Sequence, residues 1–110
     1  MPLLTGNGRA DFGKSNKSSV KGRKKIITVA GTAEQLDSVA IPAFFQVVVK
    51  ALATNTDNVH VAESKANAEN NNNAYELSAG EAIGYQITNT DLLWIDANVN
   101  SEGVTYTVEA

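Results

Sequence analysis

The sequence predicts an all-β fold: a small antiparallel β-sandwich, jelly-roll-like, behind an extended basic N-terminal arm. Three observations lead there. Short apolar runs with period-two alternation recur along the chain, separated by clusters of Asn, Asp, Ser and Gly. No stretch repeats apolar residues at the spacing of an amphipathic helix. Charge, finally, divides the chain in two. Seven of the nine cations (Arg9, Lys14, Lys17, Lys21, Arg23, Lys24 and Lys25) fall in residues 1–25 against Asp11 alone, a net +6. Residues 26–110 hold Lys50 and Lys65 against eleven acids, a net −9, and the two together make the chain's −3. The expected regions are therefore an arm, residues 1–25, and a β body, residues 26–110. An arm this polar buries too little apolar surface to offset its ordering entropy, so a partner is expected to order it.

The body's elements follow in order. Ile26 to Ala30 is short and β-branched, a first strand. Gly31 to Ala40 reads as a loop, with Leu36–Val39 its candidate strand. In the Phe44–Leu52 run, Phe45, Val47, Val49 and Ala51 share a face, with Gln46 and Lys50 opposite. Asn55 to Asn58 is a turn cluster, and Val59 and Val61 then share a face with His60 and Ala62 behind them. These two strands are expected to form a hairpin with a longer loop. The Asn-rich stretch around Asn67–Asn73 reads as a solvated loop, with a weak helical signal at Ser64–Glu69. Tyr75–Leu77 is a short strand and Ser78-Ala79-Gly80-Glu81 a turn. Ile83, Tyr85 and Ile87 line one face of the next strand. After Asn89-Thr90-Asp91, Leu93, Ile95, Ala97 and Val99 line another, with Trp94, Asp96 and Asn98 opposite. Asn100 to Gly103 is expected to close a hairpin, with Gly103 supplying a positive φ. Val104, Tyr106 and Val108 form the last apolar face.

Chemistry finds few footholds. There is no Cys, and His60, the one histidine, reads as a surface residue on the polar face of its strand. Nothing resembles a nucleophile elbow, and Glu76 and Glu81, which bracket a turn, read as solvated rather than as an acid/base pair. Gly6-Asn7-Gly8 lacks the strand–turn–helix setting of a phosphate loop, and the Asp and Asn spacings do not match a calcium loop. No catalytic, cofactor or metal residue is expected. No apolar run approaches the roughly 20 residues of a membrane span, and no secretory signal stands at the N-terminus, so synthesis in the cytoplasm is expected. The arm has little aromatic interleaving beyond Phe12, which argues against sequence-specific nucleic acid and for an acidic protein surface. Apolar residues in excess of the core face, Phe44, Val48, Leu92 and Trp94, mark the expected subunit contact; the competing reading is that the arm or residues 31–40 fold back over them.

The body's residues carry a resemblance. Pro42, the strand from Phe45 to Leu52, Thr54-Asn55-Thr56-Asp57-Asn58-Val59-His60-Val61, Tyr75-Glu76-Leu77-Ser78-Ala79-Gly80-Glu81, Asp91-Leu92 with Leu93-Trp94-Ile95-Asp96, and Gly103-Val104-Thr105-Tyr106 together resemble the small structural proteins of tailed-bacteriophage virions, of the β-sandwich decoration and head-fibre type. The resemblance runs through residues 42–108 and leaves out the arm. Where such proteins often read Val-Tyr-Val-Gly, this chain has Val59-His60-Val61-Ala62. The resemblance implies a non-enzymatic, oligomeric virion component attached to a capsid or tail, and it does not say which part of the virion. The extended charged arm makes a capsid decoration (cement) protein the preferred version. Its arm (Arg9, Phe12, Lys14, Lys17, Lys21, Arg23, Lys24, Lys25) would hold an oligomeric body, favoured as a trimer, to the major capsid protein or another virion protein. The alternative is a carbohydrate- or receptor-binding module of a fibre or tail, in which Trp94, Tyr75 and Tyr85 would matter.

Overall fold

The computed structural model describes residues 20–70 and 72–109. The strands are β1 (Val20–Ile26), β2 (Glu34–Gln35), β3 (Val47–Ala51), β4 (Val59–Ala62), β5 (Tyr75–Leu77), β6 (Ala82–Tyr85), β7 (Trp94–Ala97) and β8 (Gly103–Glu109). One helical turn, α1 (Lys65–Ala68), follows β4, and a 3-10 turn covers Thr90–Leu92. Two four-stranded sheets form, in the orders β1-β8-β3-β6 and β2-β7-β4-β5, and every pairing is antiparallel. The pairs nest, first with eighth, second with seventh, third with sixth and fourth with fifth. That is the wrapping of a jelly roll.

The sheets bury the faces that alternation marked. Val47, Val49 and Ala51 of β3, Val59 and Val61 of β4, Ile95 and Ala97 of β7, and Val104, Tyr106 and Val108 of β8 make one continuous core with Leu36, Leu77 and Leu93. Period two works here because each sheet offers one face to the interior. Leu36 and Val39 are core residues, but the strand is Glu34–Gln35, two residues earlier than expected. Segment 37–39 is held down by side chains instead. The Thr90 hydroxyl accepts the Val39 N–H at 2.8 Å, and the Tyr106 hydroxyl accepts that of Asp37 at 3.0 Å.

Three expectations change. Residues 20–25, assigned by composition to the arm, are the larger part of β1, paired in unbroken register with β8 from Val20 opposite Glu109 to Ile26 opposite Gly103. The remainder of the arm, with Arg9, Phe12, Lys14 and Lys17, lies outside the described residues. The expected hairpins β3–β4 and β7–β8 do not form, because in each case the chain crosses from one sheet to the other. Of the consecutive strands only β4 and β5 pair. Gly103, finally, does not supply a positive φ; that conformation belongs to Ser101, at φ 67°.

Gly103 serves a close backbone approach. A Cβ there would sit 2.0 Å from the Lys25 carbonyl oxygen, and the residue is clamped from the other side by Asn55, whose amide donates to the Gly103 carbonyl at 2.9 Å. Gly84 differs, since a Cβ there would meet only the flexible Gln46 side chain. Gly103→Ala is therefore expected to cost about 3 kcal/mol in urea unfolding, and Gly84→Ala under about 1 kcal/mol. Equal costs would contradict this reading of the β1–β8 contact.

Candidate interaction surface

β1 is an edge strand, and its direction of display follows from register. Directly opposed residues of an antiparallel pair point to the same side. Lys21, Arg23 and Lys25 oppose Val108, Tyr106 and Val104, all buried, so these three cations lie on the inward side of the sheet edge. β2, at the matching edge of the other sheet, is two residues long and leaves room for them. Lys25 Nζ reaches Asp37 Oδ1 at 3.1 Å, while Lys21 and Arg23 stay exposed. Burial pushes the Tyr106 phenol up, and the nearby Lys25 and Arg23 charges partly offset it. Inward-pointing charges are a known device against edge-to-edge aggregation. Lys24 points the other way, to the outer face, beside Thr105.

That outer face carries a second feature. Pro42-Ala43-Phe44-Phe45 is a turn in which the Phe45 N–H donates to the Pro42 carbonyl at 3.1 Å. Its third residue, Phe44, has φ 70°, a conformation that turns of this kind usually give to Gly or Asn. A phenylalanine there costs about 1 kcal/mol of strain, and the residue is 81% exposed. Beside it lies an open hollow of about 490 Å³ lined by Val20, Phe44, Phe45, Gln46, Val48, Gln86, Thr107 and Glu109. Phe44 and Val48 thus share one surface. Leu92, 48% exposed in the 3-10 turn, and Trp94 line no part of it. Val20, Gln46, Gln86, Thr107 and Glu109 are not marked by the sequence, because composition places Val20 in the arm and not on a strand beside Glu109.

The outer face of the second sheet is covered. Trp94 is half-buried against Ala33, Ala62, Ala68 and Ala74, under α1 and the segment before β2. Of the two readings of Trp94, the covering one describes it, with residues 31–33 and α1 as the cover. The Glu69 carboxylate accepts the Ala33 N–H at 2.8 Å, and Asp96 accepts that of Gly31 at 3.0 Å, which ties this cover down. Asp96 and His60 are consequently 3% and 2% exposed, which corrects the surface reading of His60. Neither ring nitrogen of His60 has a hydrogen-bond partner; the nearest charge is Glu76 Oε2, 3.7 Å from Nε2. Among the described residues no group of three or more His, Cys, Asp or Glu is placed to hold a metal ion, and no helix is long and apolar enough to cross a membrane.

A last polar cluster is architectural. Glu102 accepts the Thr56 N–H and hydroxyl, each at 2.7 Å, and the Asp57 N–H at 3.3 Å, so the β3–β4 crossover is bound to the start of β8. Led by the Thr56 hydroxyl, these donors hold the Glu102 carboxyl below the usual 4.5. Glu69, led by its pairing with Lys65, and Asp57, led by the Asn58 N–H, are lowered as well.

Two predictions arise here. Carboxyls with lowered folded-state values contribute stability that is present above their unfolded values and lost as pH falls through the folded ones. The melting temperature should therefore drop once pH goes below about 4.5, and Glu102→Gln should lower it at neutral pH while shrinking the acid-induced drop. An unchanged acid profile in Glu102→Gln would remove Glu102 from that account. For His60, an apolar replacement abolishes two buried unpaired polar atoms, so His60→Leu should keep or raise stability. A loss above about 2 kcal/mol would mean that the ring has a partner in solution.

Compared with protein-family models, curated proteins and solved structures, the chain matches none.

Proposed function

We propose that this protein is a non-enzymatic structural component of a bacteriophage virion, a capsid decoration protein that its basic N-terminal region holds to the major capsid protein or another acidic virion surface. Jelly rolls serve as shell proteins, lectins and enzymes, so the fold alone leaves the class open. The observation that carries the reading is β1. Lys21, Arg23, Lys24 and Lys25 follow one another along a free sheet edge, Lys24 on its outer face and the others on its inward side with Lys25 paired to Asp37, next to a further net positive stretch and on a body of net negative charge. Such an arrangement lets the body keep its fold while the cations meet an acidic partner. Exposed ion pairs contribute about 0–1 kcal/mol each, so attachment draws on several contacts per copy and on many copies per particle. The resemblance of residues 42–108 to small phage virion proteins supplies the particle.

The rival reading, a glycan-binding module, has less support. Tyr85 lies on the core side of β6 opposite Val47, Tyr75 opposite Val61 on β5, and Trp94 on the opposite, covered face of its sheet. The three aromatics do not form one stacking platform.

A particle-binding assay tests the proposal. The full chain should bind particles that lack it, with affinity falling as salt rises, because exposed charges are screened over about 8 Å at physiological ionic strength. Replacing Lys21, Arg23, Lys24 and Lys25 with Gln should weaken binding at least about tenfold while the β circular dichroism signal persists. Wild-type affinity in that variant, or no binding of the wild type at any salt, would contradict it.

A further inference from the structure

We propose that the outer face of the β1-β8-β3-β6 sheet is the docking surface for a second copy of this chain, paired face to face about a two-fold axis near Thr107. The two sheets of the sandwich differ in their outer faces. That of β2-β7-β4-β5 is roofed by α1 and residues 31–33. That of β1-β8-β3-β6 has no such roof among the described residues.

Register arranges this open face in three rows across the strands. One row holds Lys24, Thr105, Lys50 and Ala82. The middle row holds Gly22, Thr107, Val48 and Gly84. At the far end Val20 opposes Glu109, with Gln46 and Gln86 lining the same hollow and Phe44 standing over it. The face is thus cationic at one end, smooth and small-sided in the middle, and acidic and apolar at the other. Lys24, Lys50 and Glu109 form no ion pair among the described residues.

A face with this polarity complements itself when turned by half a revolution. An axis at Thr107 sets residue 109 of each copy over residue 105 of the other. Thr105 lies between Lys24 and Lys50, so each Glu109 meets two lysines, and the pairing is made twice. The same turn carries each Phe44 toward the partner's Lys50 end, where a ring can lie against an ammonium group. Gly22, Ala82 and the threonines keep the face low enough for a second sheet to stack at about 10 Å, with the flexible Gln46 side chain laid over Gly84. The strained, exposed Phe44 gains a function in this arrangement. A four-stranded face of roughly 20 by 20 Å buries less than the ~800 Å² per partner of a standard interface, so the dimer is weak, in the micromolar range. The inference stands on sheet geometry and not on the virion reading; a protein that proved monomeric would leave the particle-binding result as it was.

The test uses the full chain. Sedimentation at about 100 µM should give a monomer–dimer equilibrium. Glu109→Lys, and separately the pair Lys24→Glu with Lys50→Glu, should each raise the dissociation constant about tenfold or more, and combining all three changes should restore it. The chain has no cysteine, so Thr107→Cys offers a single thiol on the axis. A bis-maleimide of about 10 Å reach should link two copies through it, and should not do so through Thr54→Cys, on an exposed turn. Monomer at 100 µM, a trimer, failure of the triple exchange to restore pairing while its circular dichroism is native, or equal linking at both sites would each overturn the proposal. Occupation of the face by residues 1–19 of the same chain would appear as a monomer whose Thr107→Cys thiol resists maleimide.

Discussion

The close approach of the Lys25 carbonyl to Gly103 leaves less room for a side chain than any other described glycine has. It lets β1 run beside β8 without a step, and β8 is also the partner of β3, so the whole first sheet is ordered around it. Three further features converge on the same strand. Asn55 pins Gly103, Glu102 binds Thr56 and Asp57, and the Tyr106 hydroxyl holds Asp37. Two of the crossovers that switch sheets, β2–β3 and β3–β4, are therefore fastened to β8 and its approach by side chains, in addition to backbone bonds such as Leu52 N–H to the Gly103 carbonyl. Long-range pairing of first with last strand is costly in loop-closure entropy, and these contacts offset part of that cost.

Much of the sandwich was legible from alternation. Val47-Val49-Ala51, Val59-Val61, Ile95-Ala97 and Val104-Tyr106-Val108 each bury the face that period two assigns. What alternation does not encode is which sheet a strand joins, and so β3 and β4 read as a hairpin when they lie in opposite sheets. Nor does it encode what covers an outer face. His60 and Asp96 sit on the side away from the core and are buried all the same, because α1 and residues 31–33 close over them.

β1 was hidden for a different reason. Its inward positions are Lys21, Arg23 and Lys25, the reverse of what a half-buried strand displays, because at a sheet edge the long stems lie over the core while the charges reach solvent or Asp37. Composition read these residues as arm. Their charge pattern guards the edge, and in the proposed function it also presents cations to an acidic partner. Of the four residues expected at a subunit contact, Phe44 and Val48 share one surface, whereas Leu92 and Trp94 lie elsewhere. The completing residues, Val20 and Glu109, come into view only once β1 is paired.

Residues 20–26 belong to the folded body, as the edge strand of its first sheet. Native-state amide hydrogen exchange on the free full-length chain tests it most directly, residue by residue. The β1 amides bonded to β8 should exchange far more slowly than those of an unstructured peptide and be protected together with the β8 amides facing them. Exchange of residues 20–26 at the unstructured rate, with β3 and the rest of the sandwich still protected, would contradict it and return the whole basic stretch to the arm.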